Sequence, residues 1–129
     1  MTNESAWDAT LEDLGRRQAE ARAMGGPEKL AQRRAEGRMD ARGRIDGLLD
    51  AGSFTEIGTL AGPVPADALV AGVGAIDGRP VAVGAEDFTT MGGSIGPAAT
   101  RKRWRIADIA GRERIPLVML LEGAGHRPP

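Results

Sequence analysis

Two glycine-rich segments of this sequence have the residue types needed to bind an anion through the backbone. The first runs from Gly92 to Gly96 and the second from Gly123 to Gly125. A loop of small residues exposes successive N–H groups, and a following helix adds the positive end of its dipole. Such donors suit a phosphate or the oxyanion that develops on a carbonyl oxygen. Alternatively, the glycines only make tight turns, and their spacing alone leaves both interpretations open.

Charged residues near these loops are weaker signals. His126 could act as a base or contact a ligand phosphate, although a lone histidine is more often only solvated. Glu122 directly precedes the second loop and could orient it. Four cations crowd the first turns of a predicted helix: Arg101, Lys102, Arg103 and Arg105. The helix dipole disfavours positive charge there, which indicates either an anionic partner or a solvated helix face.

Composition and local motifs exclude several kinds of site. The absence of cysteine rules out disulfides and thiolate ligands, and a single histidine disfavours His-rich metal sites. Neither loop has the Lys-Ser/Thr ending of a phosphate-binding loop or the Gly-x-Gly-x-x-Gly pattern of dinucleotide-binding proteins. A net charge of -1 with both signs dispersed predicts no nucleic-acid partner. With no signal peptide and no apolar run of bilayer length, we expect a cytoplasmic protein without a membrane partner.

A β-hairpin is the clearest local prediction upstream of the loops. Residues 69–76 and 80–85 are β-type runs that flank Asp77-Gly78. An Asp-Gly pair suits a type I′ turn, because both central residues of that turn need positive φ. The several small residues on these strands imply that other elements pack very close to the sheet.

A strand, helix and strand should then bring the two loops together. Ser94 is placed to cap a helix that Pro97 opens and that runs to about residue 111. Residues 117–121 are a continuous apolar run, typical of a strand buried on both faces. This order predicts a parallel βαβ unit, in which ligands bind beyond the carboxyl ends of the strands.

The first 50 residues are predicted to form a helical arm. Capping patterns begin at Ser5 and Thr10, Gly25-Gly26 ends the first helix, and Pro27 opens a second. These helices and a short third one have few apolar residues to bury: Trp7, Leu11, Leu14, Leu30, Ile45, Leu48 and Leu49. The second helix in particular cannot be stable alone, so we expect it to lie against another part of the protein or another subunit.

The order of the motifs carries a family resemblance. Residues 37–45 read Gly-Arg-Met-Asp-Ala-Arg-Gly-Arg-Ile, followed by Leu-Leu-Asp at 48–50 and Gly-Ser-Phe at 52–54. The hairpin sequence at 77–81, Asp87-Phe88-Thr89 and the first glycine loop follow in order. This series resembles the carboxyltransferase β subunits of biotin-dependent acyl-CoA carboxylases, of the propionyl-CoA carboxylase type. The resemblance is specific from Gly37 onward and weak before Gly25.

The resemblance implies a crotonase-like α/β fold of stacked ββα units, beginning at residue 51 after the helical arm of residues 1–50. It also implies transfer of carboxylate from carboxybiotin, delivered by a partner carrier domain, to the α-carbon of an acyl-CoA, with no metal in this chain. Ala124 and Gly125 would be the backbone oxyanion donors. The acyl-CoA side of the site would include Gly92, Gly93, Ser94, Lys102 and Arg127.

Departures from the family pattern keep alternatives open. Residues 122–127 read Glu-Gly-Ala-Gly-His-Arg where the family has Asp-Ser-Gly-Gly-Ala-Arg, although the backbone donors and the arginine are kept. Family members are several times longer, so we expect partners: the remaining carboxyltransferase domain or chain, a biotin carboxylase or carrier subunit, and further copies in an oligomer. The isolated chain is then an incomplete enzyme. The alternatives are a non-catalytic assembly subunit that docks on a full-length homologue and a biotin-dependent decarboxylase subunit.

Overall fold

Three helices open the chain in the computed structural model, which describes residues 4–128 and their side chains from residue 6 onward. They are α1 (Glu4–Arg22), α2 (Pro27–Ala35) and α3 (Ala41–Leu48). Pro27 occupies the first turn of α2, as predicted. The predicted helix start at Thr10 is wrong, because Thr10 lies inside α1 and its hydroxyl donates to the Ala6 carbonyl. The capping role predicted for Ser5 falls on a side chain outside the described set.

A four-stranded sheet follows the helical arm. Its strands are β1 (Thr55–Ile57), β2 (Leu69–Ile76), β3 (Arg79–Glu86) and β4 (Leu117–Leu120), adjacent in that order. The first three are antiparallel, and β4 runs parallel to β3 after the crossover helix α4 (Pro97–Glu113). Asp77 and Gly78 both have positive φ, 50° and 76°. The predicted hairpin and the predicted parallel strand–helix–strand order are therefore confirmed.

The β2–β3 hairpin forms the centre of the core, because its two faces pack against different helices. Alternation along the strands directs Val70 and Val83 toward Ile45 of α3, and Ala82 toward Ile106 of α4. Glycine allows close approach: a β-carbon on Gly84 would lie 2.9 Å from the Met119 sulfur. The prediction of close packing from the small strand residues is confirmed.

Two local predictions around α4 are wrong. Ser94 does not cap this helix; the residue at the cap is Gly96, and the Ser94 hydroxyl donates to the Met91 carbonyl at 2.7 Å. Strand β4 is not buried on both faces, since Leu117 is 38% exposed and the rest of the strand is half-buried. The reason is its place at the edge of the sheet, where it pairs only with β3 among the described residues.

The helical arm is only partly packed against the sheet. Leu30 of α2 packs on the core that α3 shares with the hairpin, as expected for a helix that needs support. The apolar stripe of α1 remains open to solvent, with Trp7 68% and Leu11 58% exposed. The division of the chain at residue 50 stays a prediction.

Candidate functional site

The two glycine loops lie side by side, as predicted from the parallel order of β3 and β4. The Ala124 N–H donates to the Gly92 carbonyl at 3.0 Å. The Ile95 N–H donates to the Gly125 carbonyl and the Arg127 N–H to the Ile95 carbonyl, each at 2.8 Å. These bonds extend the parallel pairing of the strands into the loops, as a bridge between Ile95 and His126. The geometry at their junction is therefore fixed by backbone contacts.

Close approach of the loops depends on two glycines. A β-carbon on Gly123 would lie 2.5 Å from the Gly93 carbonyl oxygen and 2.6 Å from Oε2 of Glu86. A β-carbon on Gly93 would lie 3.1 Å from both the Glu122 oxygen and the Gly123 α-carbon, and Gly93 also has a φ of 67°. No other residue type fits these positions without moving backbone.

The two predicted oxyanion donors have different surroundings. The Ala124 N–H is occupied by Gly92, so an oxyanion role for Ala124 stays a prediction that requires this bond to open. Gly125 has a φ of 96°, and a β-carbon there would meet nothing within 4 Å. Within residues 4–128 its N–H donates to no acceptor. Gly125 is exposed, so of the two predicted donors it is the one whose N–H is not already occupied by the protein in this part of the chain.

Two carboxylates hold the start of the second loop. Glu86, which is 5% exposed at the end of β3, accepts from the Glu122 N–H at 2.6 Å and from Arg103 at 2.5 Å. The Glu122 carboxylate pairs with three arginines of the helical arm: Arg33, Arg38 at 3.5 Å and Arg44 at 3.6 Å. These contacts agree with the orienting role predicted for Glu122. Glu86 and the three arginines were not predicted; a carboxylate at the end of an apolar strand was the available signal.

The arm also contacts the segment that leads into the first loop. The Arg33 guanidinium stacks on the Phe88 ring with 4.8 Å to its centroid. The Gly25 N–H donates to the Thr89 hydroxyl at 3.0 Å. Buried Asp87 accepts from the hydroxyls of Thr89 and Thr90, each at 2.5 Å. The helical arm is therefore fastened to both loops.

A buried ion pair fastens the far end of the second loop. Arg127 donates to Asp67 at 2.7 Å and, at 3.1 Å, to both the hydroxyl and the carbonyl of Ser94. Asp67 is fully buried and also accepts from the Ala99 N–H in the first turn of α4 at 2.7 Å. Burial opposes ionisation of Asp67, but the bonds from Arg127 and Ala99 outweigh it and hold the pKa of this carboxyl below its ordinary value. Asp67 was not predicted, and no local signal identifies it.

Among the described residues, Lys102 bonds to the turn before β2 and to neither loop. It is 4% exposed, and its ammonium donates to the carbonyls of Ala66 and, at 2.6 Å, Leu69. Burial lowers the pKa of Lys102 to about 8, against the opposing effect of Glu56 and Asp67. Its nitrogen is therefore engaged by the turn before β2, and a contact with acyl-CoA stays a prediction.

Carboxylates of the protein itself neutralise some of the positive charges at the start of α4. Arg103 pairs with Glu86, and Asp67 places a carboxylate at the helix N-terminus. Arg105 faces Asp108 at 3.8 Å on the exposed side of the helix. His126 is exposed, and its backbone forms the bridge with Ile95 that joins the loops. Arg101 is exposed and pairs with no carboxylate among the described side chains, so an external anion stays a prediction for this part of the turn.

Neither a metal-binding cluster nor a membrane-spanning helix is present in the part of the chain that the structure describes. No group of three or more His, Asp or Glu side chains there is arranged to hold a metal ion. No helix in it combines the length and the apolar character needed to cross a bilayer.

Comparison with known proteins identifies relatives over most of the chain. The family model described as the carboxyl transferase domain matches residues 32–128. A putative propionyl-CoA carboxylase β chain of Bacillus subtilis is 41% identical over 120 residues, covering 87% of this chain. The propionyl-CoA carboxylase β chain of Saccharopolyspora erythraea is 38% identical over 128 residues, covering 91%. The chain spans 23% of the length of each of these two relatives.

A solved structure matches the fold as well. Transcarboxylase 12S, crystallised with methylmalonyl-coenzyme A and methylmalonic acid, superimposes with a TM-score of 0.86 at 32% identity. The match covers 91% of this chain and 25% of the transcarboxylase chain. The chain therefore belongs to the carboxyl transferase domain family, as its motifs indicated, and has the α/β, crotonase-like fold of that family.

Proposed function

We propose that this chain forms the acyl-CoA side of an acyl-CoA carboxyltransferase. The observation that carries the proposal is the Gly125 N–H, which has no acceptor among the described residues and lies on an exposed residue at the junction of two backbone-paired glycine loops. Because the chain spans 23% of its relatives' length, the activity belongs to an assembly with the remaining carboxyltransferase sequence, in the same or another chain.

The chemistry requires stabilisation of negative charge on a thioester oxygen. Removal of the α-proton of an acyl-CoA would leave an enolate, whose α-carbon would form a bond to the carboxyl carbon. The bond between that carbon and the carboxybiotin nitrogen would break, and the biotin, as in the family mechanism, would take up the α-proton. A backbone N–H in a site from which water is excluded stabilises such an oxyanion, and removing one donor typically lowers turnover by about 100- to 1,000-fold. Gly125 supplies this donor, and Ala124 would add a second if Gly92 released its N–H. Carboxybiotin on a partner carrier domain would supply the carboxyl group.

The substrate would lie along the first loop. Gly92 leaves room beside Ala124, since a β-carbon on Gly92 would be 3.6 Å from that of Ala124, whereas Gly93 would contribute by letting the second loop pack close. Ser94 lines the same junction through its contact with Arg127. Partners proposed for the assembly are a biotin carboxylase or carrier subunit and further copies of the carboxyltransferase; transcarboxylase 12S is described as a hexamer.

The test compares two glycines that share a similar positive φ. Gly125→Ala and Gly26→Ala both place alanine at a φ near 100° with no neighbour within 4 Å. Each substitution carries a conformational penalty on the order of 1–3 kcal/mol. In the purified protein with its co-purifying chains, Gly125→Ala should lower carboxylation of propionyl-CoA at least about ten-fold, because relief of the positive φ would turn the N–H, which alanine keeps, away from the oxyanion. Gly26→Ala should leave carboxylation unchanged.

The wild-type assay distinguishes this function from the decarboxylase alternative. An intact assembly that transfers no carboxylate between carboxybiotin and acyl-CoA would refute the proposal. Release of CO₂ from methylmalonyl-CoA without transfer in the other direction would instead support a biotin-dependent decarboxylase.

A non-catalytic assembly subunit is the second candidate. Its support is the open apolar stripe of α1, with Trp7 68% and Leu11 58% exposed. Calorimetry with propionyl-CoA separates the two, because an assembly subunit should not bind the thioester with or without its partner.

A further inference from the structure

The turn that precedes β2 has a strained backbone. Ala66, Asp67 and Ala68 have φ values of 49°, 47° and 62°, which are left-handed conformations that L-residues avoid. Each costs on the order of 1–3 kcal/mol and persists only where surrounding contacts impose it. Here Lys102 imposes it, since its ammonium donates to the carbonyls of Ala66 and Leu69. All three strained residues are buried.

The strained turn gives Asp67 two different partners. One carboxylate oxygen, Oδ2, accepts from the Ala99 N–H of α4, and the other, Oδ1, accepts from the Arg127 guanidinium. Capping the helix needs only the first of these bonds. The second reaches 60 residues along the chain to the end of the second glycine loop.

Arg127 in turn connects the two loops. Its guanidinium donates to the hydroxyl and the carbonyl of Ser94, and its own N–H donates to the Ile95 carbonyl. The Ile95 N–H donates to the carbonyl of Gly125. A displacement of Arg127 therefore moves the Gly125–His126 peptide and, through the Gly125 α-carbon, the adjoining peptide that carries the Gly125 N–H. The Arg127 side chain is 14% exposed, which leaves little of its surface for a ligand.

We propose that Asp67 is a positioning residue that acts through Arg127 to fix the direction of the Gly125 N–H. In this arrangement Arg127 holds the loops together and does not bind the acyl-CoA. The catalytic consequence rests on the proposed function, whereas the positioning itself does not.

The test uses variants of the full protein with its co-purifying chains. Asp67→Asn keeps an oxygen for Ala99 and loses the charge that holds Arg127, and Arg127→Gln removes the same pair from the other side. Asp108→Asn is the matched control, because Asp108 pairs with Arg112 on the exposed face of α4. The first readout is hydrogen exchange of the Ile95 amide, which donates to Gly125. It requires no catalytic activity.

Both Asp67→Asn and Arg127→Gln should speed exchange of the Ile95 amide by about ten- to a hundred-fold. Amides of the β2–β3 hairpin and the Asp108→Asn control should be unaffected. The double variant should exchange no faster than Arg127→Gln, because Asp67 acts through that residue. Unchanged Ile95 exchange in Arg127→Gln, or additive effects in the double variant, would overturn the proposal. Should Asp67→Asn not fold, Arg127→Gln decides alone, since it leaves the bond to Ala99 intact.

Kinetics supply a second readout. Positioning predicts that Arg127→Gln lowers kcat by about ten-fold or more and leaves the KM for propionyl-CoA within about two-fold, whereas a ligand contact would raise KM. A raised KM with unchanged kcat therefore contradicts the proposal. If the wild-type assembly transfers no carboxylate, the proposed function fails, and the exchange experiment still decides the role of Asp67.

Discussion

The β2–β3 hairpin and the paired glycine loops both consist largely of small residues, but different interactions hold them. The hairpin pairs two eight-residue strands in register and buries Val and Ala side chains between α3 and α4. The loops bury few apolar side chains. Three carboxylates, on Glu86, Glu122 and Asp67, hold them through bonds to distant parts of the chain.

This difference separates stability from site geometry. Burial of apolar area is non-directional, so the hairpin tolerates small shifts and supplies stability to the whole fold. Charge-assisted hydrogen bonds are directional, so they place a backbone N–H accurately. We therefore expect core variants to unfold the protein and loop variants to change the site before they change the fold.

The largest expected effect is on the free energy of unfolding, through the packing of α4 against the hairpin. Ile106→Ala removes a fully buried side chain that packs on Ala82. It should lower the free energy of unfolding by about 2–5 kcal/mol in a denaturant titration. Ile109→Ala on the same helix is the control, with a smaller loss because Ile109 is only half-buried. Equal losses of unfolding free energy in the two variants would mean that the hairpin does not depend on the face of α4 that carries Ile106.

The next effect concerns the lysine that holds the strained turn. Folding lowers the pKa of Lys102 to about 8 from an ordinary 10.5, so between these pH values the unfolded chain binds more protons. The free energy of unfolding should therefore rise through this window, by at most about 3 kcal/mol, as the cost of burying the charged lysine is relieved. Lys102→Met should lose this rise relative to wild type. Parallel profiles would show that Lys102 keeps its ordinary pKa.

A smaller effect is expected where the loops touch. Gly123→Ala would place a β-carbon 2.5 Å from the Gly93 oxygen, so the loops must separate, at about 1–3 kcal/mol. Exchange of the Ala124 amide should accelerate, because its bond to Gly92 is broken. Gly111→Ala in α4, with nothing within 4 Å of the new β-carbon, should be neutral or stabilising. If Gly123→Ala and Gly111→Ala lowered the free energy of unfolding equally, the close contact between the loops would not be the cause.

The smallest effect is expected at the hairpin turn. Gly78→Ala places a β-carbon at a φ of 76° and should destabilise by about 1–2 kcal/mol without changing the strand register. Gly78→Asn should lose less, since asparagine tolerates this conformation. A change of register, seen in cross-strand proton contacts, would show that the turn rather than the buried face specifies the pairing.

Local sequence was sufficient for the elements and for the adjacency of the loops. Asp77-Gly78 predicted the turn, Pro97 the start of α4, and the strand–helix–strand order the parallel pairing that puts both loops at one edge. The motif series from Gly37 onward predicted the family. Each of these signals depends on residues near one another in the chain, which is why it could be recognised without a structure.

Tertiary structure alone decided how the site is held and which donor is open. The contact of Glu122 with Arg33 spans 89 residues and that of Asp67 with Arg127 spans 60, and no local pattern encodes such pairs. The burial of Lys102 and the exposure of β4 likewise depend on which elements pack together. The sequence by itself determined that Gly125 follows a strand in a glycine loop. Only the folded chain brings the first loop beside the second, so that Gly92 accepts the Ala124 N–H and the Gly125 N–H is left without an acceptor among the described residues.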